Sequence, residues 1–167
     1  MDICASTVSA PLERPRIQLR YGRDTDIEFI SWLWKRIAEL PVHAETTRTD
    51  LDALATFKRH LRGHMNVDCR NVIVADYDGK HVGYVFGYLI ANDPVRRGTV
   101  AHVDSLYVEP TLRGRGIGSA LVRAFIGDAQ ARGATEVTIN VIKDNPAVQF
   151  YRKLGLLPWQ YTLRAQL

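Results

Sequence analysis

Apolar residues recur along this chain with two different periods. At 16–21, Ile17, Leu19 and Tyr21 alternate with Arg16, Gln18 and Arg20, the period of two that marks a half-buried strand. From Thr25 the period lengthens, and Ile27, Ile30, Trp34 and Ile37 fall three or four apart on one helical face, with Thr25 and Glu28 spaced as a capping box. This first helix ends near Pro41. Leu51, Leu54, Phe57 and Leu61 predict a second helix over 49–62, whose acidic start suits the helix dipole. Two runs rich in β-branched and aromatic residues, 71–77 and 81–91, meet at Asp78-Gly79, the signal of a two-residue hairpin.

The second half of the chain changes character. A fourth strand at 99–108 is interrupted by Pro110 and a glycine cluster, and a helix over about 116–132 follows. Its buried face is Leu121, Val122, Phe125, Ile126 and Ala129, and Gly133 stops it. The β-branched run 136–142 predicts a fifth strand, parallel to the fourth because a helix crosses between them. Asn145 is a good N-cap with Pro146 after it, and Ala147, Phe150, Tyr151 and Leu154 share the face of a last helix closed by Gly155. Residues 156–167 leave room for one or two short strands. Residues 1–15 show neither period and read as a flexible N-terminal arm, which leaves 16–167 as a single domain. The predicted class is α/β, with a mixed, mostly antiparallel sheet and about four helices.

Composition narrows the function. With 46% hydrophobic against 24% charged residues in 167, the signature of disorder is absent. The net charge of +4 suits an anionic ligand and is too small to single out a nucleic acid. Cys4 and Cys69 lie far apart, which argues against a disulfide framework and a thiolate zinc site and points to a reducing cytoplasm. Neither a signal-like start nor a run of about 18 apolar residues occurs, so no membrane span is expected. His60 and His64, four apart, could form a metal pair, but no third ligand is in view, and no metal site is expected.

The chemistry concentrates between the fourth strand and the following helix. Arg113-Gly114-Arg115-Gly116-Ile117-Gly118-Ser119 offers glycines that let the backbone approach an anion and a helix start with unpaired N–H groups. A P-loop is excluded, because no Lys-Ser/Thr follows the glycines. A dinucleotide fingerprint needs its first glycine at the strand's own turn, whereas Glu109, Pro110, Thr111, Leu112 and Arg113 intervene after Val108.

Arg113, Gly116 and Gly118 stand where the GNAT superfamily of acyl-CoA-dependent N-acyltransferases has its Gln/Arg-x-x-Gly-x-Gly/Ala signature. The strand His102 to Pro110 and the segment Asn145 to Leu156 resemble that family too, although Leu156 stands where an aromatic is common. The resemblance implies a sheet whose parallel fourth and fifth strands splay apart. Acetyl-CoA would be the co-substrate, its pantetheine arm pairing with the backbone of Leu106, Tyr107 and Val108. Its pyrophosphate would lie on the amides of Arg113, Gly114, Arg115, Gly116, Ile117, Gly118 and Ser119, and Asn145 would hold the pantetheine arm. An amine of a small molecule, or of a protein or peptide, would be the acceptor. A noncatalytic acyl-CoA sensor or interaction module with the same fold is the alternative. Nucleic acid is not an expected partner, and a homodimer is the commonest oligomer in general.

The reaction itself sets demands. An alkylamine of pKa about 10.4 costs about 4.6 kcal/mol to deprotonate at pH 7, and a thiolate of pKa about 8.5 leaves more easily with a proton. Tyr151 matches the family's usual proton donor to sulfur; simple packing on its helix is the competing reading. His102 and Asp104 share one face of the fourth strand by alternation, at positions where family members place a base. His102 is the better-tuned acceptor, and Asp104 could draw the ammonium or orient a water. An N–H of the fourth strand, such as that of Val108, would stabilise the oxyanion. Trp32, off the first helix's apolar stripe, could wall the acceptor pocket but reads better as surface or interface, and His43 and Glu45 lie in a loop the family uses to choose its acceptor.

Overall fold

The computed structural model describes residues 17–43, 48–91, 98–160, 162 and 165. The N-terminal arm and Glu45 lie outside them. Five strands, β1 (Ile17–Tyr21), β2 (Val72–Tyr77), β3 (Lys80–Ile90), β4 (Thr99–Val108) and β5 (Ala134–Ile139), form one sheet in the order β1-β2-β3-β4-β5. The first four pair antiparallel, and β4 and β5 pair parallel across the helix that joins them. Helices α1 (Ile27–Ala38) and α2 (Leu51–Val67) cover one face, α3 (Ile117–Ala131) covers the other, and the short α4 (Ala147–Lys153) follows β5. The β2–β3 turn has positive φ at Asp78 (50°) and Gly79 (73°), as the predicted hairpin requires.

Two apolar layers hold the sheet. On one side Ile27, Ile30 and Leu33 of α1 and Phe57, Leu61 and Met65 of α2 pack on Val72, Val74, Tyr84, Phe86 and Tyr107. On the other, Ile117, Leu121, Phe125 and Ala129 of α3 pack on Ile73, Ala75, Val85, Ala101, Val103 and Val108. Gly87 lets α3 sit close: a Cβ there would stand 2.5 Å from both the His102 carbonyl oxygen and Cζ of Phe125.

Four boundaries differ from the sequence reading. The Thr25/Glu28 capping box is not what starts α1. A 3-10 turn, Asp24–Asp26, precedes the helix, and the Asp26 carboxylate reaches back to accept the Arg23 N–H at 2.7 Å, while Glu28 pairs outward with Lys58. Helix α2 runs on through Gly63 to Val67 because Met65, buried against the core, continues the Phe57–Leu61 stripe; tertiary packing outweighs glycine's poor propensity. Strand β5 begins at Ala134, opposite Thr99, and ends at Ile139, where its pairing with β4 ends. Residues 156–160 form no strand, and Leu157 and Trp159 lie exposed there.

Candidate active site

Strand β4 outlasts its neighbour. Its ladder with β5 ends at Val103↔Ile139, yet β4 continues to Val108, so its last five residues face an open edge. The predicted splay is present. Glu109 N–H donates to the Val82 carbonyl of β3 at 2.8 Å, and successive residues of a strand turn their amides to opposite edges. The peptide groups of Leu106 and Val108 therefore point into the gap, and that of Tyr107 points to β3. The Val108 carbonyl there accepts a hydrogen bond from Nε of Arg113 at 3.0 Å.

A bulge shapes this strand. Phe86 pairs with Ser105 and Gly87 with Val103, leaving Asp104 as an extra residue on β4, as bulges do at functional edges. Alternation is interrupted: Val103, Leu106 and Val108 pack on the α3 side, while Tyr107 packs on the α1/α2 side. Asp104 turns to the α2 side, 4.0 Å from Nε2 of His60. His102 shares that face, packing on Tyr88 with ring centroids 5.6 Å apart.

Beyond β4 a 3-10 turn, Pro110–Leu112, leads into the glycine loop, where Gly114 and Gly116 hold φ of 77° and 84°. Only glycine adopts such values freely. Gly116 is the N-cap of α3 and supplies no capping side chain, and Ala120 N–H makes the first helical bond, to the Gly116 carbonyl at 2.9 Å. The N–H groups of Ile117, Gly118 and Ser119 thus have no partner within the helix. Arg115 is drawn to the Tyr77 hydroxyl at 2.9 Å, and Arg113 lies over the Tyr107 ring.

Helix α4 lies against the start of α3. Phe150 abuts Gly118, where a Cβ would stand 3.4 Å from its Cζ. Asn145 caps the helix, its Oδ1 accepting the Ala147 N–H at 2.9 Å, so only its Nδ2 end remains for another ligand. Tyr151 is buried, and burial pushes its phenol up to about 12. It stays protonated through the neutral range, but giving its proton to a thiolate of pKa about 8.5 is uphill by about 5 kcal/mol, more than an ordinary tyrosine requires.

On the other side of β4 a cleft of about 520 Å³ lies between the helices and the strand, lined by Trp34, Arg48, Asp52, Thr56, Phe57, His60 and Asp104, with Ala53. Trp34 and Phe57 stack at 4.5 Å. Burial pushes the Asp104 carboxyl up, against the opposing pull of His60, His102 and His64. Burial pushes His102 down, with Asp104 opposing, and pushes His64 down with help from His60. His102 does not line the cleft: it sits behind Asp104, with Nδ1 3.1 Å from the Thr138 hydroxyl. Sequence reasoning missed the α2 wall. Its signal was the four-residue spacing of Asp52, Thr56 and His60, which places three polar side chains along one helical stripe. Among the described residues no group of three or more His, Cys, Asp or Glu is arranged to hold a metal. Trp32 is half exposed with Arg36 over its ring, and His43 ends a 3-10 turn after α1.

Residues 28–156 match the acetyltransferase (GNAT) family. The chain belongs to that family. Among relatives of this GNAT protein, the L-2,4-diaminobutyric acid acetyltransferase of Nocardia farcinica is 37% identical over 75 residues, 45% of this chain and 37% of that one. The mycothiol acetyltransferase of Frankia casuarinae is 30% identical over 158 residues, 89% of this chain and 45% of that one. The chain thus spans less than half the length of these curated relatives. Among solved structures, a putative acetyl transferase from Pyrococcus furiosus superposes with a TM-score of 0.72 at 24% identity, over 91% of this chain and all of that one. The aminoglycoside N-acetyltransferase AAC(6')-Iy in complex with CoA superposes with a TM-score of 0.71 at 16% identity, over 95% and 99%. Among the described residues no helix is long and apolar enough to cross a membrane.

Proposed function

We propose that this protein is an acetyl-CoA-dependent N-acetyltransferase that moves the acetyl group directly to a primary amine, a small molecule being favoured over a protein or peptide. The observation that carries the reading is the open edge of β4 at Leu106 and Val108, running straight into the unpaired amides that start α3. An extended amide-bearing arm can add to such an edge as a further strand does, and a pyrophosphate suits a helix start with no capping side chain. The residues present therefore fit acetyl-CoA. Bound there, it would supply the activated acetyl group. Arg113 and Arg115 are placed to turn toward phosphate oxygens, and Nδ2 of Asn145 to meet the pantetheine arm.

Tyr151 is the proton donor to the leaving sulfur in this reading, and the Val108 region of β4 supplies the oxyanion's N–H. The acceptor enters on the opposite side, through the cleft under Trp34 and Phe57, with its ammonium drawn to Asp104. The cleft's two carboxylates, Asp52 and Asp104, outnumber its one arginine, Arg48, and favour a cationic acceptor. His102 keeps a role behind Asp104, neutral and bonded to Thr138. A cytoplasmic setting agrees with this reading, and nucleic acid has no part in it.

Titration calorimetry with acetyl-CoA, followed by thiol release against amines and peptides, tests the reading. Binding with turnover on a small amine is the expected result. Binding without any turnover would favour the noncatalytic acyl-CoA module, and no binding would remove the reading altogether.

A further inference from the structure

The pair His60 and Asp104 brings α2 and β4 together in the wall of the cleft. His60 keeps two-fifths of its side-chain surface exposed, and Asp104 about three-tenths. Their closest atoms, Nε2 and Oδ1, are 4.0 Å apart. That is too long for a hydrogen bond, but a single nitrogen placed about 2.8–2.9 Å from each atom subtends them at about 90°, about 20° inside the tetrahedral spread of two N–H bonds on one ammonium and within the bending that hydrogen bonds tolerate. The bulge that sets Asp104 toward α2 lies one residue beyond the last β4–β5 pair, where the gap expected to take the thioester begins.

We infer that His60 and Asp104 together form the ammonium-binding site of the acceptor, and that His60 Nε2 is the base that takes its proton. The inference rests on the acetyl-transfer reading and deepens it. One N–H of the ammonium donates to Asp104 Oδ1, and a second passes its proton to His60 Nε2. The freed lone pair forms the N–C bond to the thioester carbonyl, whose electrons move onto oxygen. When they return, the C–S bond breaks and sulfur takes the Tyr151 proton. Tyr151 regains a proton from the nitrogen as the amide forms, and the proton on His60 leaves to solvent. The products are the N-acetyl amine, the free thiol and one proton.

The surroundings of His60 fit this role. His64, one turn along α2, meets its ring edge to face at 4.6 Å and stacks on Tyr88 at 4.3 Å. Burial favours the neutral form of His64, which spares an incoming cation its repulsion. Phe86 and Tyr88 of β3 face His60 at 5.5 and 6.0 Å. Asp104 is the carboxylate that β4 directs at it, His102 stands behind Tyr88, and Arg48 and Asp52 line the same cleft. His102 was the base expected from alternation along β4. It is a poorer candidate, because its Nδ1 is occupied by Thr138 and its ring lies outside the cleft lining.

The test compares wild type with His60→Gln across pH 5.5–9, with acetyl-CoA and four probe acceptors: 1,3-diaminopropane, glucosamine, an aminoglycoside and an alanine-terminated peptide. On the acceptor that wild type uses, His60→Gln is expected to lower kcat/KM about 100-fold. Acetyl-CoA affinity is expected to stay within about two-fold. An arylamine, unprotonated at neutral pH, is expected to lose far less. A rate within about three-fold of wild type overturns the assignment and leaves acetyl transfer standing. Absence of wild-type turnover on every probe overturns acetyl transfer and this assignment with it. If His60→Gln does not fold, His60→Ala with added imidazole decides: rescue supports the role of His60, and no rescue contradicts it.

Discussion

Nε of Arg113 holds the carbonyl of Val108 at 3.0 Å, inside the gap between β4 and β5. An arm that pairs with the β4 edge competes with Arg113 for that carbonyl, and a displaced guanidinium is free to meet an anion. Arg113→Gln is therefore predicted to weaken acetyl-CoA binding about 10-fold, and to flatten its salt dependence, since a charge-assisted contact is lost. Titration calorimetry at two ionic strengths reads both effects.

Tyr151 supplies a second prediction. Tyr151→Phe removes the hydroxyl and leaves the ring that fills the buried site, so acetyl-CoA affinity is expected to hold while kcat falls about 10- to 100-fold. Because burial pushes the phenol up to about 12, the wild-type donor remains protonated through pH 10. No fall in kcat attributable to Tyr151 is expected between pH 8 and 10.

The buried cluster at the start of α1 governs stability in acid. Asp26, 2% exposed, takes a two-pronged contact from Arg20 at 2.7 and 2.8 Å and the N–H of Arg23. Burial pushes its carboxyl up, and the bonds from Arg20 and Arg23 outweigh that and leave it below the ordinary value. A carboxyl lowered in the folded state contributes its stability above the unfolded value of about 3.9 and loses it as pH falls through the folded value. Thermal melts are expected to hold steady from pH 7 to about 5 and to drop below about 4. Asp26→Asn, which leaves Arg20 with Asp76 as its remaining carboxylate partner, is expected to cost about 1–3 kcal/mol at pH 7 and to flatten that acid decline.

Close packing of α3 on β3 predicts a fourth outcome. Gly87→Ala sets a methyl group 2.5 Å from the His102 carbonyl and from Phe125, and overpacking of this kind costs about 1–3 kcal/mol. Phe125→Ala, at a fully buried position, leaves a cavity instead and costs about 3–5 kcal/mol. Denaturant midpoints compare the two, and the double variant is expected to cost less than their sum because the residues touch.

The elements, the hairpin at Asp78-Gly79 and the parallel β4–β5 pair were legible because each follows from local period and turn chemistry. The glycine loop was legible for the same reason: its residues are contiguous, and its conformation is dictated by Gly114 and Gly116. The acceptor cleft was not. It is made by residues 34, 48–60 and 104, which only the tertiary fold brings together, and by a bulge that no alternation pattern announces. His60 and His64 invited a metal reading because spacing shows that two imidazoles can meet, and cannot show that Asp104 and Tyr88 are what they meet. The start of α1 lies one residue beyond a Thr25 cap: Asp26 is the cap residue, and its carboxylate reaches back to the Arg23 N–H.

In the proposed function, acetyl-CoA occupies the open edge of β4 and the start of α3. Backbone amide NMR of the labelled protein during titration with acetyl-CoA tests it most directly. Saturable shifts are expected to concentrate at Leu106, Val108 and residues 114–119, with little change along β1 and β2. Saturable shifts confined to another surface, or none at millimolar acetyl-CoA, would contradict it.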